Sequence, residues 1–118
     1  MEKTFVVYHY QTPEGKRPVR EFLFSLDHNE REKMFRLITY LAEYGLFGVK
    51  NHCRKLTGTL FWELRVLGKH NLRVIFIPIP NDSFLLLHGF AKKTQKTPIK
   101  EIETVLTRYQ NYLNSLAS

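Results

Sequence analysis

Leu60-Phe61-Trp62-Glu63-Leu64-Arg65-Val66-Leu67-Gly68-Lys69-His70-Asn71-Leu72-Arg73-Val74-Ile75-Phe76-Ile77 is the stretch that decides the fold. Leu60, Trp62, Leu64 and Val66 alternate with Phe61, Glu63 and Arg65. After Gly68-Lys69-His70-Asn71, Leu72, Val74 and Phe76 alternate with Arg73, Ile75 and Ile77. A period of two on both sides of a polar turn predicts a β-hairpin. Centred near Lys69, the hairpin sets Arg65 opposite Arg73 on one face of adjacent strands. A turn at Pro80-Asn81-Asp82-Ser83 leads to a further strand over residues 84–91, so the unit extends to an antiparallel meander.

Working outward, residues 4–10 are β-branched and aromatic and end at a Pro13/Gly15 loop, which predicts a strand. Pro18 suits a first helical position, with Val19, Phe22, Leu23 and Leu26 as the buried stripe. Asp27 with Glu30 three residues on has the capping-box pattern for a second helix, whose stripe is Met34, Phe35, Ile38, Leu41 and Ala42 and whose stop is Gly45. The short join predicts a helical hairpin. Thr97 as cap and Pro98 at the first position open a last helix with a stripe of Ile99, Ile102, Val105, Leu106, Tyr109 and Leu113. Strand, helical hairpin, antiparallel meander and C-terminal helix make one α+β domain over residues 1–118. With 118 residues, 43% of them hydrophobic, the chain is long enough for one packed core.

Charge points to the partner. Residues 50–100 carry ten basic side chains against Glu63 and Asp82, whereas residues 1–49 balance seven against seven. A basic stretch between near-neutral flanks predicts a polyanion-binding surface, with RNA or DNA as the leading ligand. No apolar run approaches the roughly 20 residues of a membrane span, and the first residues do not lead into a signal-peptide core, so the chain reads as cytoplasmic. The single Cys53 excludes an internal disulfide, and His52 beside it lacks the spacing of a metal motif; neither metal nor cofactor is expected.

Like charges directly opposed across a sheet are destabilising, so Arg65 and Arg73 need an explanation. One is that Glu63 neutralises them as an exposed ladder. The other is that two guanidiniums converge on a bound anion, since forked donors match phosphate oxygens. One glutamate cannot neutralise two arginines and the nearby lysines, which favours the second. Lys92, Lys93 and Lys96 precede a helix start, a favourable place for phosphate. As surface cations in a self-repelling patch, Arg73 and Lys93 are expected to contribute little to stability. No Walker loop, nucleophile elbow or carboxylate cluster competes with them.

This order of elements, with Lys55-Leu56-Thr57-Gly58, Trp62-Glu63-Leu64-Arg65, Arg73-Val74-Ile75-Phe76 and His88-Gly89-Phe90-Ala91-Lys92-Lys93-Thr94-Gln95-Lys96-Thr97-Pro98, resembles the RelE/HigB toxin superfamily, in its phage-related HigB-like branch. The resemblance implies a RelE-like fold and a type II toxin that cleaves mRNA in the ribosomal A site. It also implies neutralisation by a cognate antitoxin, commonly a helix-turn-helix, HigA-like protein. The matching positions are Arg65, Arg73, Lys92, Lys93 and Lys96. The RelE branch also uses a C-terminal tyrosine, but here the chain continues into a helix, so that role is not carried to Tyr109 or Tyr112.

Cleavage without metal needs a base for the 2′-OH, a cation for the phosphorane and an acid for the 5′-oxygen. Arginine supplies only the cation. A lysine among cations has a lowered pKa and can move a proton. Lys93 is therefore expected to transfer protons, with Arg65 and Arg73 holding the phosphate and Arg54, Lys55, Lys92 and Lys96 positioning RNA. Two alternatives use the same patch without proton transfer: a ParE-like inhibitor of DNA gyrase, and a non-catalytic nucleic-acid-binding module.

Overall fold

The central hairpin has the register its alternation predicts: β3 (Trp62–Val66) and β4 (Leu72–Ile79) pair antiparallel with Arg65 opposite Arg73. The structure is a computed structural model that describes residues 4–93 and 96–117. Asn81 and Asp82, both at positive φ, turn the chain into β5 (Ser83–Ala91) and complete the meander. Two further strands lengthen the sheet to the order β1-β5-β4-β3-β2. The expected first strand is shorter than its apolar run, at β1 (Val6–His9), and it pairs parallel with β5, so the sheet is mixed rather than purely antiparallel. On the far edge, β2 (Cys53–Lys55) was not anticipated; three residues are too few to show a period of two.

Helices cover both faces. On one lie α1 (Pro18–Ser25) and α2 (His28–Tyr44), which bury Val19, Leu23, Met34, Leu37 and Leu41 against Leu64, Val66, Val74, Phe76 and Leu86. The Asp27 side chain accepts the Glu30 amide at 2.9 Å, the expected cap. The reciprocal half of the box is absent, because the Glu30 carboxylate meets His70 Nδ1 at 3.0 Å instead. Gly45 ends α2 at φ 68°, where a Cβ would lie 2.7 Å from the Phe5 ring, and a 3-10 segment over Gly45–His52 leads into β2.

On the other face α3 (Ile99–Ala117) places Ile102, Val105, Tyr109 and Tyr112 over Ile75, Ile77, Leu85 and Leu87. Strand β4 is thus covered on both sides, and its residues Leu72 to Ile77 are all buried. The helix begins one residue later than expected. Ile102 N bonds Pro98 O, so Pro98 takes the cap position, and the Thr97 hydroxyl is used elsewhere. No helix among the described residues is long and apolar enough to cross a membrane.

A bulge in β5 decides which residues face α3. Ile75 pairs with His88 but Phe76 pairs with Leu86, leaving Leu87 extra. The side-chain phase flips there, so His88 and Phe90 share the face of Arg73. Gly89 then turns to α1, where a Cβ would stand 2.3 Å from the Phe22 ring. His88 sits between Glu101 Oε1 at 3.1 Å and Arg108 Nη1 at 3.1 Å, and Arg108 also donates to the Leu87 carbonyl. Since arginine can only donate, Nδ1 of His88 accepts and Nε2 carries the hydrogen to Glu101, which fixes a neutral tautomer. His88 therefore fastens α3 to the sheet, and burial holds its pKa below the ordinary value.

Candidate functional site

The basic residues meet where β2, β3, β4 and the end of β5 lie side by side. Arg54 stands directly opposite Glu63 across β2 and β3, Arg73 lies diagonally across β3 and β4, and Lys92 leaves β5 with its amide bonded to Asn71 O. These side chains converge on one carboxylate. Glu63 Oε1 lies 3.2 Å from Arg73 Nε, 3.4 Å from Arg54 Nε and 4.0 Å from Lys92 Nζ, while Oε2 accepts the Thr97 hydroxyl at 3.0 Å.

Glu63 is completely buried, and Arg73 and Lys92 are nearly so at 6% and 4% exposure. This corrects two expectations. Glu63 is not part of an exposed ladder but sits beneath the cations, and Arg73 is not a surface cation. A charge can be buried here because opposite charges surround it on the same sheet face. None of the three cations meets Oε1 in hydrogen-bond geometry, so the attraction is one of charge rather than of directed bonds.

Above this carboxylate lies an open cleft of about 720 Å³, lined by Arg54, Arg65, Leu67, Gly68, Asn71, Arg73, Lys92 and Lys93. Five of the eight are cationic and none is acidic. Arg65 differs from its neighbours: among the described residues no carboxylate pairs with it, and its buried Nε has no hydrogen-bond partner. Nε of Arg73 is likewise left without a directed bond. Both residues line the cleft, and the forked guanidinium matches the oxygens of a phosphate.

The surroundings of Lys92 lower its pKa. Burial is the main cause, Glu63 opposes it, and Arg54, Arg73 and Arg65 add to the lowering. Burial likewise acts on Arg73, although arginine keeps its proton. Cys53, next to Arg54 on β2, has its thiol pushed up to about 11, chiefly by burial.

Of the residues picked out in the sequence, Arg54, Arg65, Arg73, Lys92 and Lys93 line the cleft. Lys93 is exposed. Lys55 points away, its ammonium donating to the Thr59 carbonyl, and Lys96 is exposed but is not among the lining residues. Thr94 and Gln95, within the same string, lie outside the described residues. Tyr109 and Tyr112 pack in the α3 core, Tyr109 edge-on to Phe61 at 5.6 Å. Sequence reasoning missed Glu63 as the hub and Thr97 as its hydroxyl partner; the one signal was a lone acid within a basic stretch. Among the described residues no three of His, Cys, Asp or Glu are grouped to hold a metal ion.

No curated protein matches the chain. Residues 21–110, which include α2, the whole meander and every residue lining the cleft, match the family described as phage derived protein Gp49-like (DUF891). Over that length the match shows that the chain belongs to the Gp49-like family of phage-derived proteins, a RelE/HigB-like toxin family of type II toxin–antitoxin systems.

Proposed function

We propose that this chain is a ribosome-dependent mRNA endonuclease that halts translation, in the manner of the HigB-like branch, and that a cognate antitoxin of HigA-like, helix-turn-helix type neutralises it in the cytoplasm. The observation that carries this reading is the cleft itself: five cations line it above one buried carboxylate, and Arg65 has no counter-charge among the described residues. Arg65 and Arg73 hold the scissile phosphate. Negative charge accumulates on its oxygens as the RNA's own 2′-oxygen attacks phosphorus, and fixed guanidiniums stabilise that charge. The P–O5′ bond then breaks, leaving a 2′,3′-cyclic phosphate and a 5′-OH.

Two protons move in this step, off the 2′-OH and onto the 5′-oxygen. The crowding argument that selects a lysine is met best at Lys92, whose pKa is lowered by burial and by the neighbouring arginines, with exposed Lys93 at the rim guiding RNA alongside Arg54. Glu63 is a positioning residue that holds Arg73 and Lys92 in place. Free RNA is a poor substrate, because a flexible strand is seldom held with its 2′-oxygen in line with the leaving oxygen, a geometry that the ribosome can impose.

Mapping the 5′ ends of cellular mRNA after induction tests the reading. New ends within translated codons are expected. Their absence together with a DNA-damage response would replace the nuclease with gyrase inhibition. Ribosomes programmed with mRNA carrying a 2′-deoxy nucleotide at the mapped site test the chemistry, and continued cutting there at the normal rate would refute 2′-OH attack.

A further inference from the structure

On the opposite side of the sheet from the cleft, α2, the 3-10 segment and the β3–β4 turn enclose a second groove of about 520 Å³. It has a composition the fold does not need. Phe47 and Leu67, large apolar side chains that gain most by burial, stand 75% and 62% exposed beside it, and Tyr40 is exposed with them. Lys33, Arg36 and Lys50 rim the same groove, and no carboxylate is among its lining residues. An apolar depression rimmed by charge of one sign is the mark of a docking surface rather than of a solvated face.

We propose that this groove docks an acidic, amphipathic segment of a partner protein. Its apolar side chains cover Phe47 and Leu67 while its Asp and Glu residues meet Lys33, Arg36 and Lys50. A nucleic-acid strand fits less well. Bases stack on open, flat rings, but Lys50 Nζ already lies 4.9 Å from the centre of the Phe47 ring. Tyr40 and the adjacent Tyr44 are tilted by 45° with centroids 6.4 Å apart, which offers no parallel platform. Leu67 is an aliphatic contact suited to a protein side chain. It lines the basic cleft as well, so a segment seated in the groove ends beside Arg65 and Arg73. The inference rests on the groove and not on the nuclease reading.

A peptide library displayed on phage and selected against the immobilised full chain provides the probe. The enriched peptides are expected to combine apolar residues with Asp and Glu. The synthetic consensus peptide should lose at least about tenfold in affinity with Phe47→Ala and with Arg36→Glu, and keep its affinity for Arg65→Ala. Both groove positions are exposed, and a melting curve of each variant unchanged from wild type ensures that lost binding reflects the groove. Four results would overturn the proposal: no enrichment, enrichment without acidic residues, binding lost with Arg65→Ala but kept with Phe47→Ala, or a single-stranded RNA oligonucleotide weakened by the groove substitutions instead of the peptide.

Discussion

Replacing Glu63 by glutamine removes one charge from beneath the cleft while preserving the side chain's shape and an oxygen to accept the Thr97 hydroxyl at its present 3.0 Å. At an effective dielectric of about 20, the contact of 3.2 Å to Arg73 corresponds to about 5 kcal/mol of gross attraction and that of 4.0 Å to Lys92 to about 4 kcal/mol. Arg54 is half exposed, so solvent screens its pairing to under about 1 kcal/mol. Desolvation offsets most of the gross attraction. What the substitution exposes is the cost of leaving buried cations unmatched, about 3–5 kcal/mol. For a chain of this size that lowers the melting temperature by roughly 10–20 °C. The assay is thermal unfolding followed by circular dichroism, together with the double variant Glu63→Gln/Arg73→Met. Removing both charges should recover part of the loss, because one buried cation, Lys92, is then left unmatched instead of two. A Glu63→Gln protein melting within about 3 °C of wild type would refute the claim that this carboxylate holds the cluster together.

Arg65→Ala should melt within a few degrees of wild type, since no carboxylate among the described residues loses a partner, yet cut ribosome-bound mRNA on the order of 100-fold more slowly by primer extension; a stability loss equal to that of Glu63→Gln would make Arg65 structural. Lys92→Arg keeps the charge but holds its proton, so cleavage should fall and lose the pH dependence that titration of Lys92 supplies, whereas Lys93→Arg should cut normally; the reverse pattern would move proton transfer to Lys93. Cys53, with its thiol near 11, should alkylate with iodoacetamide at pH 8 on the order of 100-fold more slowly than a free thiol by intact mass, and modification at the free-thiol rate would contradict its burial. His9 and His88 both have pKa values lowered in the fold, chiefly by burial, so the unfolded chain binds more protons as pH falls below about 6.5 and stability declines there. A melting temperature that rises on acidification through that window would contradict the assignment.

The hairpin was legible because two features agreed. Alternation on both sides of Gly68-Lys69-His70-Asn71 left one register that keeps Leu64, Val66, Leu72 and Val74 on a common face, and Arg65 had to oppose Arg73. The phase of β5 was not legible. Leu85, Leu86 and Leu87 are chemically alike, so no pattern marks which of them is the extra residue, and the bulge that turns His88 toward the arginines is invisible until the partner strand is known. The same limit hid the parallel pairing of β1 with β5, since periodicity identifies strands but does not choose their neighbours.

Burial of Glu63 escaped for a different reason. On a two-residue period a glutamate beside apolar alternates reads as facing solvent, and only the approach of Arg54 on an unforeseen short strand, Lys92 beyond β5 and Thr97 before α3 closes it off. Its consequence reaches the cleft. A single carboxylate shared among three cations fully neutralises none of them, and contact by charge alone leaves the Nε of Arg73 without a directed bond. Arg65, opposite it, has no counter-charge among the described residues at all. The fold thus spends its one local acid on holding guanidinium and ammonium groups in fixed positions along the cleft. That is the condition under which an incoming phosphate meets donors that need no rearrangement, and under which electrostatic stabilisation of a transition state is most effective.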